Sequence, residues 1–451
     1  MQNELFEKTP VKKAYFILSM PVVFSMVISL VYNMVDTYFI AQTGDTALIA
    51  GVSLCAPVFS LMIAFGDIFG LGGSSVISRL FGQHRDEDGK RLSSFCFWSS
   101  IAFGLVILII MLVFRSGILS LLGTDAGTLQ YASSYYTIIV IGCPLIILSF
   151  TPTNILRTEG AATASMTGNI VGTVVNIILD PIMISYLGWG AAGAATATII
   201  GYLCANAYFV WYLLRKSQKL SMNIRLAKVS RFEFGQIIAI GIPASLTNIA
   251  QSYATTLTNR FLLPYGTDQI AAMGIAMKAG MIASFMLVGF AFGSQPLTGY
   301  SYGARDFKRL RETLKFSYLF ECSLAAGISI VLAVFAPQVI SFFISDPAII
   351  ASGALMLRMQ LIGMTFNGFV MVSTCMFQSA GKALDALLLS ISRQGIVFTA
   401  VIIIGSSVAG YTGVIAAQAV SDIITAILAA VLLYFGLFKE IRGKGKKLEI
   451  S

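Results

Sequence analysis

Stretches of about 20 or more residues with hardly a charge follow one another along most of this 451-residue chain. Each is long enough for a helix that crosses the hydrocarbon core of a bilayer. A chain made of such stretches must satisfy its backbone within helices, because lipid offers no hydrogen-bond partner. About twelve spans are expected, near residues 15–41, 47–78, 93–114, 130–156, 163–186, 192–214, 235–261, 269–300, 316–337, 350–380, 384–408 and 411–437. Several exceed 25 residues, which implies tilt or protrusion past the headgroups. The runs are continuously apolar, not alternating, and this excludes a closed β-barrel. With 57% hydrophobic and 11% charged residues and a mean hydropathy of +0.82, the chain is far more apolar than a soluble domain. An all-α polytopic membrane protein is the expected class.

Basic residues set the expected orientation. With both termini cytoplasmic, 25 of the 30 Lys and Arg fall in the N-terminus, the loops 79–91, 157, 215–231, 305–315 and 382, or the tail 439–447. Arg115, Arg260, Lys278, Arg358 and Arg393 are the exceptions. The net charge of +9 then describes a rim facing anionic lipid, not a nucleic-acid surface. The opening MQNELFEKTPVKK is polar and runs directly into a full span, so no cleavable leader is expected.

The chain also repeats itself at an offset near 221 residues. Pro21 matches Pro243, Gly44 matches Gly266, Gly82 matches Gly303, Asp125 matches Asp346 and Gly160 matches Gly381. Two lobes of six spans follow, 1–214 and 232–438, joined by a basic cytoplasmic linker 215–231 and followed by a tail 439–451. An even number of spans per lobe makes the repeat parallel, about an axis along the membrane normal.

Against that symmetry, Asp36 and Asp180 stand out, because their repeat counterparts are Thr258 and Val401. A carboxylate inside a span costs about 2.5–3.5 kcal/mol on insertion scales and marks a coupling-ion or substrate site; the structural alternative is an interhelical hydrogen bond or cap. Each acid lies eight residues before an outer turn, at Gly44 and Gly188, hence about 12 Å below it. Asn33 and Asn176 lie one turn inward of the two acids. Pro181 leaves the Ile177 carbonyl without its helical donor, and Thr196 and Thr198 lie at comparable height. Such an oxygen-rich cluster suits a proton or a sodium ion.

Other charges divide between roles. Asp67, matched by Val288, is either an ion relay or a residue facing the inner cavity. Asp422 and Arg393 fall at similar depth in neighbouring spans and suit a buried ion pair. Lys278 and Arg358 are expected to snorkel, Glu321 to reach the inner interface and Glu159 to be solvated. One histidine, His84, rules out a His-based triad or a two-histidine metal site, and the six scattered cysteines show no CxxC spacing. No GxxxxGK[ST] loop is present, so an ion or substrate gradient is the expected energy source. No cofactor is expected beyond H+ or Na+.

The ordered set VYNMVD (Val31–Asp36), Gly72–Gly82 ending in SRLFG, LRTEG (Leu156–Gly160), NIILDP (Asn176–Pro181) and FQSAG (Phe377–Gly381) followed by Arg393–Gln394 resembles the multidrug and toxic compound extrusion family. The resemblance covers nearly the whole chain. It implies two six-helix lobes around a V-shaped cavity, alternating access, and export of organic cations in exchange for protons or sodium. It further implies a first-lobe cation site of Asp36, Asn176, Asp180 and Thr198, with Tyr136 and Asn154 nearby. Sodium-coupled members with acids in the seventh and tenth spans differ from this chain. Its seventh span reads SLTNIAQSYATTLTN, with Gln251 as the nearest polar stand-in, and its tenth has no carboxylate.

The expected ligands are cationic or amphiphilic drugs, held by aromatic and methionine side chains such as Tyr32, Met34, Met62, Phe150, Met281 and Phe366. A bacterial inner membrane and a working monomer are the expected setting. Two other functions remain open at this level: a lipid-linked saccharide flippase, which calls for a more cationic cavity, and an intramembrane aspartyl enzyme, which calls for two acids sharing a proton.

Overall fold

The computed structural model describes residues 2–438, and among these all regular structure is helical. The long helices are α1 (Val11–Gln42), α2 (Thr46–Gly82), α3 (Asp86–Val113), α4 (Leu129–Ile141 and Cys143–Glu159, bent by 51°), α5 (Ala162–Tyr186), α6 (Gly190–Arg215), α7 (Arg231–Leu262), α8 (Thr267–Gly303), α9 (Phe307–Val334) and α10 (Pro347–Ala380). The helix that follows, Ala383–Gly436, has 54 residues and is broken at Gly410, where φ is 55° and ψ −128°. Only glycine adopts that conformation at little cost. The chain reverses there, bringing the backbones of Gly405 and Gly413 together, and this gives α11 (383–409) and α12 (411–436). The tail 439–451 lies outside the described residues.

Matching turns end α4 and α10. Gly160 at φ 86° and Gly381 at φ 76° both take the left-handed conformation, closing LRTEG and FQSAG with the same backbone geometry. At the opposite end of the bundle Asp45 caps the start of α2. Its carboxyl is held below the ordinary range by the Tyr131 hydroxyl and by the Leu48 and Ala47 N–H groups.

The two lobes dock at the end that carries the basic loops. Glycines make this possible: a Cβ on Gly241 would lie 2.1 Å from the Ile68 carbonyl oxygen, and one on Gly72 would lie 2.4 Å from that of Ile237. Around this α2–α7 contact, Ile77, Leu80 and Phe81 share one apolar core with Ile237, Ile240, Leu297 and Tyr300. Polar ties cross the same seam. Ser75 Oγ donates to the Gln378 carbonyl at 2.5 Å, Arg91 meets Glu233 at 2.5 Å and Arg309 Nη2 donates to the Thr9 carbonyl at 2.7 Å. Farther from the basic end the cores separate. One holds Met62, Tyr136, Ile139 and Ile146 in the first lobe, the other Leu262, Met273, Met356 and Phe398 in the second. The lobes thus form a V closed at the basic end.

Tertiary packing overturns three expectations. Glu159, expected in solvent, is 1% exposed and accepts from Ser217 Oγ at 2.8 Å. Glu321 does not reach the interface: it is fully buried and accepts from Tyr15 of α1 at 3.3 Å, in a shell of Phe16, Phe290, Phe316 and Phe320. Met62 is not a cavity residue but part of the first-lobe core. In each case a neighbouring helix or the other lobe covers a side chain that a single helix leaves bare.

Candidate functional site

Helices α1, α5 and α6 bring Asp36, Asn176, Asp180 and Thr198 together inside the first lobe. Asp180 ends the regular part of α5. Pro181 follows it and has no N–H to give, and the chain continues as a π-helix over Pro181–Tyr186, the Leu187 N–H reaching the Ile182 carbonyl at 2.8 Å. Small residues let α6 come close: Gly201 packs on Gly172 of α5.

Asp180 is fully buried and Asn176 is 3% exposed. With its amide oriented to satisfy both neighbours, Asn176 donates to Asp180 Oδ2 at 3.0 Å. Its oxygen accepts from the Thr198 N–H at 2.9 Å and the Thr198 hydroxyl at 3.3 Å. Tyr32 extends the chain, its hydroxyl 3.4 Å from Thr198 Oγ1. Asp36, from α1, is close enough for its charge to act on Asp180, Tyr32 and Tyr135. Asp180 Oδ1 and Asp36 Oδ1 are both buried without a protein partner. Two neighbouring carboxylates, each with a free oxygen and no basic side chain bonded to either among the described residues, form a site that lacks a positive charge.

Removing the donor to Asp180 gives a first test. Asn176→Ala is expected to lower the unfolding free energy by about 1–2 kcal/mol, read by thermal unfolding in detergent.

Several expected members lie elsewhere. Asn33 is exposed and spends its amide on the Ser29 carbonyl at 2.7 Å, one turn back along α1. Thr196 bonds its own helix at the Ala192 carbonyl. Tyr136 is buried in the first-lobe core, donating to the Met111 carbonyl at 2.8 Å. Its neighbour Tyr135 feels both acids instead. Tyr32, a candidate from the sequence, joins Tyr135 and Tyr202, which sequence reasoning missed, in a phenolic wall. The available signal was the position of Tyr202, four residues after Thr198 on α6; Tyr135 lies on α4 and carries no such spacing.

A second polar group sits deeper, where the lobes meet. Asp67 accepts from Asn248 of α7 at 3.4 Å and lies within electrostatic reach of Arg157. Arg157 bonds Asn154 Oδ1 and reaches across to the Phe292 carbonyl at 3.4 Å. Asn154 therefore belongs to this interlobe group, not to the acids. In the second lobe Asp422 pairs with Arg393 at 2.8 Å, as its depth suggested, while Gln251 accepts from the buried Gln394.

Comparison with known proteins places this geometry in context. A family model described as MatE matches residues 21–182 and again 243–404, one match in each lobe. The chain is 32% identical over 429 residues to Multidrug export protein MepA of Staphylococcus haemolyticus, covering 95% of this chain and 94% of that protein. To MepA of Staphylococcus aureus strain MRSA252 it is 30% identical over 429 residues, covering 95% of each. Among solved structures it resembles a MATE protein in complex with MaD3S, with a TM-score of 0.90 at 26% identity over 99% of both chains. It also resembles a MATE family transporter of the MOP superfamily in an outward-facing conformation, with a TM-score of 0.89 at 26% identity over 94% of this chain and 95% of the other.

Proposed function

Because the chain belongs to the MatE family, we propose that it exports organic cations by alternating access, in exchange for a proton or sodium ion held at Asp36 and Asp180. It is an integral membrane transporter and not an enzyme. One observation carries the ion-coupled reading: two neighbouring carboxylates, each with a buried unpartnered oxygen, stand at positions whose repeat counterparts, Thr258 and Val401, are not acidic.

The exchange follows from competition between states. A bound coupling cation neutralises Asp36 and Asp180 and lets α1 and α5 pack against each other; without it the two charges repel. A cationic drug in the cavity prefers the charged pair. Each cation therefore favours a different state of the V, and loading one promotes release of the other. With both termini cytoplasmic, as the basic loops suggest, the V opens outward, in keeping with its likeness to an outward-facing relative. A bacterial plasma membrane fits the staphylococcal relatives. Six spans per lobe enclose the cavity, so a monomer suffices.

The test is export of a fluorescent organic cation from proteoliposomes under an imposed proton gradient and, separately, an imposed sodium gradient. Gradient-driven export that Asp36→Asn removes is the expected outcome, and the effective gradient names the ion. Undiminished export by Asp36→Asn would overturn the assignment.

A further inference from the structure

The lobes differ where their last two helices cross. In the first lobe Gly172 of α5 and Gly201 of α6 meet backbone to backbone: a Cβ on either would lie 2.7–2.8 Å from the other's carbonyl oxygen. The repeat offset near 221 residues carries Gly172 to Arg393 and Gly201 to Asp422. At this crossing of α11 and α12, Arg393 Nε lies 2.8 Å from Asp422 Oδ1. Gln418 Nε2 donates to the same oxygen at 2.9 Å, and Ser421 Oγ donates to the Arg393 carbonyl at 2.8 Å. Asp422 is 3% exposed. A π-helix over Ser392–Ile396 makes room for the long side chain where the first lobe has only glycine.

One turn along, the second-lobe positions equivalent to Asn176, Asp180 and Thr198 are Val397, Val401 and Ala419. The second lobe thus has no copy of the first-lobe site. At this crossing it has one carboxylate, Asp422, one turn lower and already paired with a cation that belongs to the chain.

We propose that Arg393 is a tethered cation: its guanidinium fills the carboxylate site at the α11–α12 crossing of the second lobe, so that this crossing takes up no free coupling ion. A buried carboxylate needs a positive partner or a proton. A guanidinium fixed to the same lobe is always present at high effective concentration and cannot be released to either side. The crossing then keeps a constant charge, and of the two equivalent crossings only the one in the first lobe exchanges ions. That last consequence rests on the ion-coupled reading of Asp36 and Asp180; the tethered cation itself does not.

Taking the guanidinium away uncovers Asp422, the Gln418 and Ser421 side chains and the carbonyl of residue 393, an oxygen cluster suited to a hard monovalent cation or a proton. The experiment compares purified Arg393→Gln with the double variant Arg393→Gln/Asp422→Asn by thermal unfolding, titrating Na+ against choline at constant ionic strength and, separately, lowering pH. Arg393→Gln is expected to be destabilised and to regain stability with Na+ or with acid beyond what the wild type shows, as binding to the folded state requires. The double variant is expected to lack that gain. Equal ion responses in the two variants would overturn the proposal. If Arg393→Gln does not fold, the double variant decides by its ion-to-drug stoichiometry: an unchanged ratio supports the proposal, a changed one defeats it. Failure of the first-lobe reading would show separately, as gradient-driven export that survives Asp36→Asn.

Discussion

Asp180→Asn is expected to reduce gradient-driven export in proteoliposomes to the level of protein-free vesicles, while drug moving down its own concentration gradient still crosses. The substitution keeps the shape of the side chain, and its oxygen still accepts from Asn176, which donates to Asp180 Oδ2 at 3.0 Å. What it removes is the charge. A ligand shifts a conformational equilibrium only by the difference in its affinity for the two states. With residue 180 neutral, the coupling cation loses half of the anionic pair that made its binding differ between states. The drug gradient remains able to drive transport, so facilitated movement separates an uncoupled protein from a misfolded one. Gradient-driven accumulation at the wild-type rate would remove Asp180 from the coupling site.

A comparably large effect is expected from Gly241→Val, through the seam between the lobes. The glycine Cα rests against the backbone of α2, and a Cβ there would lie 2.1 Å from the Ile68 carbonyl oxygen. Backbone offers no rotamer to relieve that clash, so the helices must part by about 1–2 Å to regain ordinary van der Waals distance. The close packing of Gly72 on Ile237 would be lost with it. The expected results are loss of export and a basic end that no longer closes, seen as a longer distance between spin labels at Glu87 and Lys308, both exposed at that end. Gly235→Ala is the control: it lies on the same helix, nothing lies within 4 Å of its added Cβ, and distance and export should match the wild type. Unchanged label distances in Gly241→Val would show that this contact does not close the V.

Individual residues show where reading the chain alone succeeded. Asp36 and Asp180 were legible because a carboxylate in a hydrophobic run is rare and costly, and because their counterparts in the repeat are Thr258 and Val401. Arg393 and Asp422 were legible as a pair for the same reason, opposite charges at matching depth in adjacent spans. Tyr135 was not. Its neighbour Tyr136 was favoured, yet one residue along a helix turns a side chain by about 100°, and here that turn separates a core position from the wall beside the acids. Asn33 shares a helical face with Asp36, but its amide closes onto its own backbone at Ser29.

From its sequence alone the chain was committed to membrane helices, to a twofold internal repeat and to two acids, Asp36 and Asp180, whose equivalent positions in the second copy are not acidic. Hydrophobic length, offset and rarity of charge are local or periodic properties, and they survive in one dimension. Which side chains meet was decided by the tertiary structure. The segment after α6 covers Glu159 and Tyr15 of the other lobe covers Glu321, the approach of α6 to α5 sets Thr198 against Asn176, and a π-turn places Arg393 on Asp422. Those outcomes depend on how close two helices come and how far each is rotated, and glycines and extra residues within a turn set both. Their effect is felt on a partner helix tens or hundreds of residues away, and for that reason it is not written beside them in the chain.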